Sequence, residues 1–340
     1  MTDADYMRMA LKEAWKSAGH TRPNPPVGAV VVSPSGEIGG RGRHKRCGAD
    51  HAEAAALKNA GSAKGCTVYC TLEPCSKPGR VGACTDALIA AGVARVVWAA
   101  VDPNSKNRGK AARVLAKAGI KGELLKSAPD VSAEARALIA PFSKHVTTGL
   151  PYVTVKIALS LDGRIADDRG NARWISSSAS RRRTGKLRER VDCVLVGGQT
   201  VRADNPSLLC HTKQNNDLWR AVVTASGDLP PTAQIFTDDA RDRTLAYVKV
   251  AKGAGGTVSS KPYPGVVGFS SLREILADLG RRGFMHVLCE GGMELARSLA
   301  AEGLVDEWLT VLAPVVIGHG KMAEAKRLAG EDAFITYHRS

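Results

Sequence analysis

Between His51 and Cys84 the chain sets one histidine, one acid and two cysteines in an order that few folds can use except around a metal ion. The segment reads His51-Ala52-Glu53, then Glu73-Pro74-Cys75, then Cys84. A catalytic zinc takes three protein ligands and keeps a fourth position for water, and one imidazole with two thiolates meets that count. His51, Cys75 and Cys84 are therefore the candidate ligands for one Zn2+. Glu53 lies two residues past the histidine, near enough to reach a water at the metal without being a ligand, and is the candidate catalytic proton shuttle.

His-x-Glu followed by Pro-Cys and a second cysteine is the signature of zinc-dependent nucleobase deaminases. The usual form has two residues between the cysteines, whereas here the eight residues Ser76 to Ala83 intervene. The competing reading is a structural zinc knot with a fourth Cys or His, for which Cys47, Cys66 and Cys70 are close in sequence. Cys66 and Cys70, however, alternate with Val68 in an apolar run that reads as a buried strand, where cysteine behaves as a small hydrophobe.

A chain of 340 residues suggests two domains, each large enough for its own core. No apolar run approaches the roughly 20 residues of a membrane helix, and eight cysteines without paired spacing form no disulfide framework. The expectation is a soluble, cytoplasmic protein with no membrane partner. The net charge of +15 suits nucleic acid or phosphate-bearing small molecules alike. Aromatics make up only 5% of residues and form no basic-aromatic stripe for stacking bases, so no nucleic-acid partner is expected.

Along the chain, Tyr6 to Gly19 has helical spacing, and Thr21 to Pro26 forms a rigid loop where a substrate rim would lie, with Asn24 as its polar contact. Val27 to Val32 reads as a strand, His51 to Ala60 as a helix, and Cys66 to Leu72 as a strand. Cys75 is expected near a helix start, whose partial positive charge favours thiolate. Further alternation of helix and strand to Leu125 argues an α/β/α layered sheet. Ser127 to His145 reads as a helical bridge, so the domains are placed at 1–146 and 151–340. In the second, strands at Tyr152 to Leu159, Val191 to Val196, Met285 to Cys289 and Val305 to Val316, broken at Pro314, alternate with helices, and Ala251 to Gly265 reads as a surface loop. The turn Glu290-Gly291-Gly292-Met293 lies between strand and helix, where backbone N–H groups can meet an anion, though by itself it reads more readily as a plain tight turn.

The first half, with Pro23-Asn24-Pro25, His51-Ala52-Glu53, Thr71-Leu72-Glu73-Pro74-Cys75, Cys84-Thr85-Asp86 and Asp102-Pro103-Asn104, resembles the riboflavin-biosynthesis pyrimidine deaminase. The second half, with Lys156, Ser160-Leu161-Asp162-Gly163, Trp174-Ile175, Leu187-Arg188, Thr200, Asp204-Asn205-Pro206, Glu290-Gly291-Gly292 and Val305-Asp306-Glu307, resembles the reductase partner of the same fused enzyme. The resemblance implies an α/β protein with a cytidine-deaminase-like N-terminal domain and a dihydrofolate-reductase-like C-terminal domain. It implies zinc-dependent hydrolysis of the amino group of a phosphoribosylated diaminopyrimidinone, then NADPH-dependent reduction of the ribosyl group to ribityl, in a homodimer or higher homo-oligomer. By the same resemblance Ala158, Trp174, Thr200, Asp204 and the run Gly292, Met293, Glu294, Leu295, Ala296, Arg297, Ser298 line the NADPH site, and Arg188, Leu208, His211 and Glu290 face substrate. Arg188 offers a planar fork of donors suited to phosphate. The chain departs from the family pattern at His211 (an arginine is usual), Ala172 (a serine), Lys77 (a histidine) and Gly82 (a proline), and it lacks the usual aspartate near Val222-Val223-Thr224. Alternatives from other classes are a nucleic-acid deaminase and a zinc-stabilised RNA-binding protein, both of which predict strongly salt-dependent RNA affinity.

Overall fold

The computed structural model describes residues 1–77, 82–169, 175–210, 217–250, 263, 265–319, 326–327 and 330–338. The chain divides into two units, Met1–Gly149 and Leu150–Ser340.

In the first unit α1 (Asp3–Trp15) opens with a reciprocal cap. The Thr2 hydroxyl accepts from the Asp5 N–H, and the Asp5 carboxylate accepts from the Thr2 N–H. Then come β1 (Gly28–Val32), β2 (Ile38–Arg43), α2 (Ala52–Ala60), β3 (Thr67–Cys70), α3 (Cys84–Ala90), β4 (Arg95–Trp98), α4 (Ala111–Lys117), β5 (Lys121–Leu124), α5 (Pro129–Leu138) and α6 (Ala140–Thr148). The sheet order is β2-β1-β3-β4-β5, with β1 antiparallel to both neighbours and β3, β4 and β5 parallel. All five residues of β1 are buried, which is why Gly-Ala-Val-Val-Val shows no polar alternation.

Two glycines let helices press onto this sheet. A Cβ at Gly28 would lie 2.0 Å from the Ala10 carbonyl oxygen in α1, and one at Gly42 would lie 2.3 Å from that of Ala52 in α2. Gly42 pairs with Ala29, the neighbour of Gly28, so the two helices pack on opposite faces. The close seat of α2 carries its N-terminus, with His51 and Glu53, to the edge where β3 runs out towards Cys75. The stretch read as a helical bridge is α5 and α6, and Val131, Ala135 and Leu138 of α5 are buried in the first unit's core. Their apolar spacing serves packing, which a linker would not need.

The second unit comprises β6 (Tyr152–Ser160), α7 (Ser178–Arg188), β7 (Cys193–Gly197), α8 (Gly198–Asp204), β8 (Trp219–Thr224), α9 (Gln234–Thr237), a 3-10 turn (Arg241–Arg243), β9 (Thr244–Lys249) and β10 (Val266–Phe269). It continues with α10 (Leu272–Arg281), β11 (His286–Cys289), α11 (Met293–Ala301), β12 (Glu307–Ala313), β13 (Val315–Val316), β14 (Lys326–Arg327) and β15 (Ala333–His338). Eight strands form one sheet in the order β10-β9-β8-β7-β11-β6-β12-β15, parallel except for β15. From β7 the chain crosses to β8 on one side, and from β11 it crosses past β6 to β12 on the other. The strand order therefore reverses between β7 and β11, the place where open α/β sheets leave a crevice beyond their carboxyl ends.

Arg220 on β8 is 0% exposed, and its guanidinium organises the loop after α8. It donates to both oxygens of Asp238, to the Ser207 carbonyl at 2.9 Å and to the Ile235 carbonyl at 2.8 Å. This loop carries two non-glycine residues in left-handed backbone, Asn205 (φ 42°) and Leu208 (φ 56°). The buried cation over-determines that conformation.

At the other end of the strands, half-buried His286 sets a pH limit. Thr154 Oγ1 donates its one hydrogen to Glu307 Oε2 at 2.6 Å, so its 2.9 Å contact with His286 Nε2 requires the ring N–H to donate. Burial pushes the imidazole pKa down to about 4. The unfolded chain protonates this ring first, near 6.5, so the stability it contributes is complete above that pH and is lost as pH falls from 6.5 to 4. The loss is at most about 3 kcal/mol, since solvent at the ring edge lessens it. Urea unfolding of the second unit should show this falling limb, and His286→Gln should flatten it; equal slopes in both proteins would assign the limb elsewhere.

Candidate zinc centre and reductase crevice

His51 is the N-cap residue of α2, Cys84 the first residue of α3, and Cys75 lies in the extended segment after β3. Their ligand atoms fall within 4.8 Å of one another. His51 Nδ1 is 3.2 Å from Cys84 Sγ and 3.6 Å from Cys75 Sγ. Tetrahedral zinc with Zn–S near 2.3 Å and Zn–N near 2.0 Å would set N···S edges at about 3.5 Å, so the donor set and its spacing fit the ion. Among the described residues no fourth protein ligand joins the cluster. Cys70 and Cys66 turn instead to the carbonyls of Val97 and Lys64. That arrangement is the open catalytic form rather than the closed knot.

The helix start expected at Cys75 is at Cys84. The Cys75 carbonyl accepts from the Thr85 N–H and the next N–H, of Ser76, goes to Asn107, so the backbone at Cys75 is not available to begin a helix. The dipole argument still reaches Cys75 from across the site, because the Cys84 N–H, in the first turn of α3, donates to Cys75 Sγ at 3.2 Å. The Cys84 thiol and the His51 ring together draw the Cys75 pKa down to about 4, and Cys84 is pushed up by the thiolate beside it and by burial. Glu53, in the first turn of α2, is 3% exposed. Burial and then the Cys75 charge hold its carboxyl above the ordinary range, as suits a group that takes and returns a proton near neutrality.

Sequence reasoning missed His44. Its Nδ1 is 3.0 Å from the Asp50 carbonyl, which can only accept, so Nδ1 carries the hydrogen and Nε2 accepts from Asn24 Nδ2 at 3.0 Å. The Asn24 amide is thereby oriented with its nitrogen towards His44. Burial keeps His44 neutral by lowering its pKa, and its ring stands edge-on to His51 with centroids 5.2 Å apart. The one available signal was a histidine interrupting the basic run Arg41 to Arg46.

In the second unit β7 ends in Gly197-Gly198 and β11 in Glu290-Gly291-Gly292, on either side of the crevice. Gly291 and Gly292 take φ of 153° and 74°, and a Cβ at Gly291 would sit 3.4 Å from Thr200 Oγ1. The N-cap of α11 is Gly292, which has no side chain to cap the first turn, an arrangement that suits an anion at its N–H groups. Ala158 lies three residues beyond Val155, the partner of the last residue of β11, so β6 overhangs the crevice there with a small side chain. Gly197 and Gly198, which line the same place, were not singled out from the sequence. In the run from Gly292 to Ser298 the structure separates backbone from side chain. Leu295 and Ala296 are buried in the core, Met293 is half-buried, and Glu294, Arg297 and Ser298 are exposed. Asp204 is half-buried at the end of α8.

Arg188 and Glu290, each expected to meet substrate, meet each other. Arg188 Nη2 donates to Glu290 Oε2 at 2.9 Å, Nε to Oε1, and Nη1 to the Leu209 carbonyl at 3.0 Å. Lys156 stands close by; burial lowers its pKa, while Glu290 raises it. A ligand there would meet a paired, three-residue charge cluster rather than an isolated fork. The Leu208 side chain is 3% exposed and packs among Val194, Val222 and Ile235, so only its backbone can face a ligand. Asp162 of the Ser160-Leu161-Asp162-Gly163 motif accepts from the Ile317 and Gly318 N–H groups, a structural clamp. Trp174, Ala172 and His211 lie outside the described residues.

Two family models match the chain. Residues 1–100 match the cytidine and deoxycytidylate deaminase zinc-binding region, and residues 151–330 match the RibD C-terminal domain. The riboflavin biosynthesis protein RibD of Aquifex aeolicus is 37% identical over 322 residues, covering 94% of this chain and 88% of that protein. The chain belongs to the RibD family. RibD of Escherichia coli is likewise 37% identical, over 339 residues that cover 94% of this chain and 89% of that one. The crystal structure of a diaminohydroxyphosphoribosylaminopyrimidine deaminase/5-amino-6-(5-phosphoribosylamino)uracil reductase from Thermotoga maritima superimposes with a TM-score of 0.85 at 27% identity, covering 99% of each chain. The chain is accordingly a bifunctional deaminase and reductase of riboflavin biosynthesis, acting on small pyrimidine substrates, with a cytidine-deaminase-like α/β first half and a reductase α/β second half. Zinc serves the first activity and NADPH the second. No helix among the described residues is long and apolar enough to cross a membrane.

Proposed function

We propose that the first unit hydrolyses the ring amino group of a phosphoribosylated diaminopyrimidinone and that the second reduces the ribosyl chain of the aminouracil product to ribityl. The observation that carries the first assignment is the convergence of His51, Cys75 and Cys84 with the buried Glu53 beside them. Zinc, when bound, supplies the Lewis acidity that makes water a nucleophile at neutral pH. Glu53 moves a proton from the attacking water to the departing amine, so that ammonia leaves and the ring carbon keeps the oxygen. Asn24, its amide nitrogen turned to His44, presents Oδ1 as an acceptor for a ring N–H or amino group.

In the second unit the Gly291-Gly292 turn and the first N–H groups of α11 would hold a phosphate of the dinucleotide. Thr200 and Asp204, a hydroxyl and a carboxylate, and Ala158, a small side chain, are the further residues that would hold the cofactor. NADPH, when bound, supplies the hydride. Arg188, Glu290 and Lys156 orient the phosphorylated substrate by charge. None of the eight cysteines is in a disulfide, which suits a reducing cytoplasm, where we place the enzyme. We also read it as a homodimer or higher homo-oligomer.

Mass spectrometry of the protein incubated with the phosphoribosylated diaminopyrimidinone tests both assignments. Deaminated product alone should form without NADPH, and deaminated and reduced product with it. Deamination without reduction would overturn the reading of the crevice, and no product from zinc-loaded protein would overturn both.

A further inference from the structure

Two motifs of the first half, Glu73 and Asp102-Pro103-Asn104, take no part in the chemistry above, and the structure joins them to the metal centre through one side chain, Asn107. Asn107 is 7% exposed and uses both ends of its amide. Its Oδ1 accepts from the Ser76 N–H at 2.7 Å and from the Ser76 hydroxyl at 2.9 Å. Its Nδ2 donates to Asp102 Oδ2 at 2.9 Å and to the Pro74 carbonyl at 3.4 Å. The Ser76 N–H and the Cys75 C=O belong to one peptide unit, and that C=O accepts from the Thr85 N–H at 3.1 Å. The peptide following Cys75 is thus held at both of its polar atoms, by α3 on one side and Asn107 on the other, which sets the direction of the Cys75 Cα–Cβ bond.

Asn107 is itself held. Asp102 accepts from the Asn104 N–H through its other oxygen at 2.8 Å. Buried Glu73, two residues before Cys75, accepts from three backbone N–H groups, of Asp102 at 3.1 Å, Gly109 at 3.0 Å and Ala111 at 3.2 Å. The loop from Asp102 to Ala111 is therefore folded around one carboxylate of the strand exit that carries Cys75.

We infer that Asn107 is a positioning residue for the zinc ligand Cys75, with Asp102 setting the orientation of its amide. The inference rests on the reading of His51, Cys75 and Cys84 as zinc ligands. Partners that orient metal ligands through hydrogen bonds commonly change metal affinity by about 10- to 100-fold when removed.

The test is the rate of zinc release from the full-length protein to a colorimetric chelator. Asn107→Leu should release zinc about 10- to 100-fold faster than wild type. Asn107→Asp keeps the acceptor for Ser76 but turns a second carboxylate oxygen towards Asp102, so it should also release zinc faster. Adding Asp102→Asn to Asn107→Asp lets the amide and carboxylate exchange places, and release should return towards the wild-type rate. A general loss of folding would not be reversed by that exchange. Wild-type release from Asn107→Leu, or a double variant as fast as Asn107→Asp alone, would overturn the inference while leaving the zinc ligands in place. A wild-type protein that holds no zinc at all would instead overturn the ligand assignment, and this inference with it.

Discussion

Glu53→Gln lowers the turnover of deamination by about 10²- to 10⁴-fold, the range general acid–base catalysis contributes, and leaves zinc content and reductase turnover unchanged. Glutamine has nearly the same shape and is neutral, so the buried site gains no charge and no cavity. What it loses is a group that can accept a proton and return it. Burial holds the Glu53 carboxyl above its ordinary pKa, so a neutral amide there meets no added desolvation cost. Ammonia release measures the first activity, metal analysis the zinc, and NADPH oxidation on chemically supplied deaminated substrate the second. Near-normal ammonia release from a zinc-replete Glu53→Gln would place the shuttle on another group.

Arg188→Ala should destabilise the second unit by about 3–5 kcal/mol, because it leaves the Glu290 carboxylate, 7% exposed, without its bidentate partner. It should also raise the reductase KM, since the charge cluster proposed to orient the substrate loses its fixed geometry. The two effects separate on adding Glu290→Gln, which removes the stranded charge. Stability should then recover in large part, as paired removal of buried ions commonly allows, while KM stays high. Urea unfolding and reductase kinetics on the two variants and Glu290→Gln alone complete the cycle. An Arg188→Ala protein as stable as wild type would show that solvent or Lys156 already compensates Glu290, and an unchanged KM would remove Arg188 from the substrate site.

The candidate metal ligands could be proposed from sequence because one imidazole and two thiolates are a donor set that a catalytic zinc accepts, and the structure brings their ligand atoms within 4.8 Å of one another. Helix α1 was legible because its apolar residues recur at the helical period. The glycine turn at Gly291-Gly292 was visible as a turn, yet its neighbour across the crevice, Gly197-Gly198, was passed over, since only the strand order places β7 beside β11.

Residue types, local periodicity and the short motifs between His51 and Cys84 were enough for the α/β class, the candidate zinc donors and the deaminase chemistry, because each depends on near neighbours or on the identity of the atoms. Other features came from packing between distant segments. His44 orients Asn24 across 20 residues, Asn107 holds Ser76 across 31, and Arg188 pairs with Glu290 across 102. Leu208, which resemblance assigned to the substrate, turns its side chain into the core. A hydrogen bond or ion pair between remote residues leaves no periodicity in the chain; its geometry exists only once the sheets and helices have brought the two partners within about 3 Å.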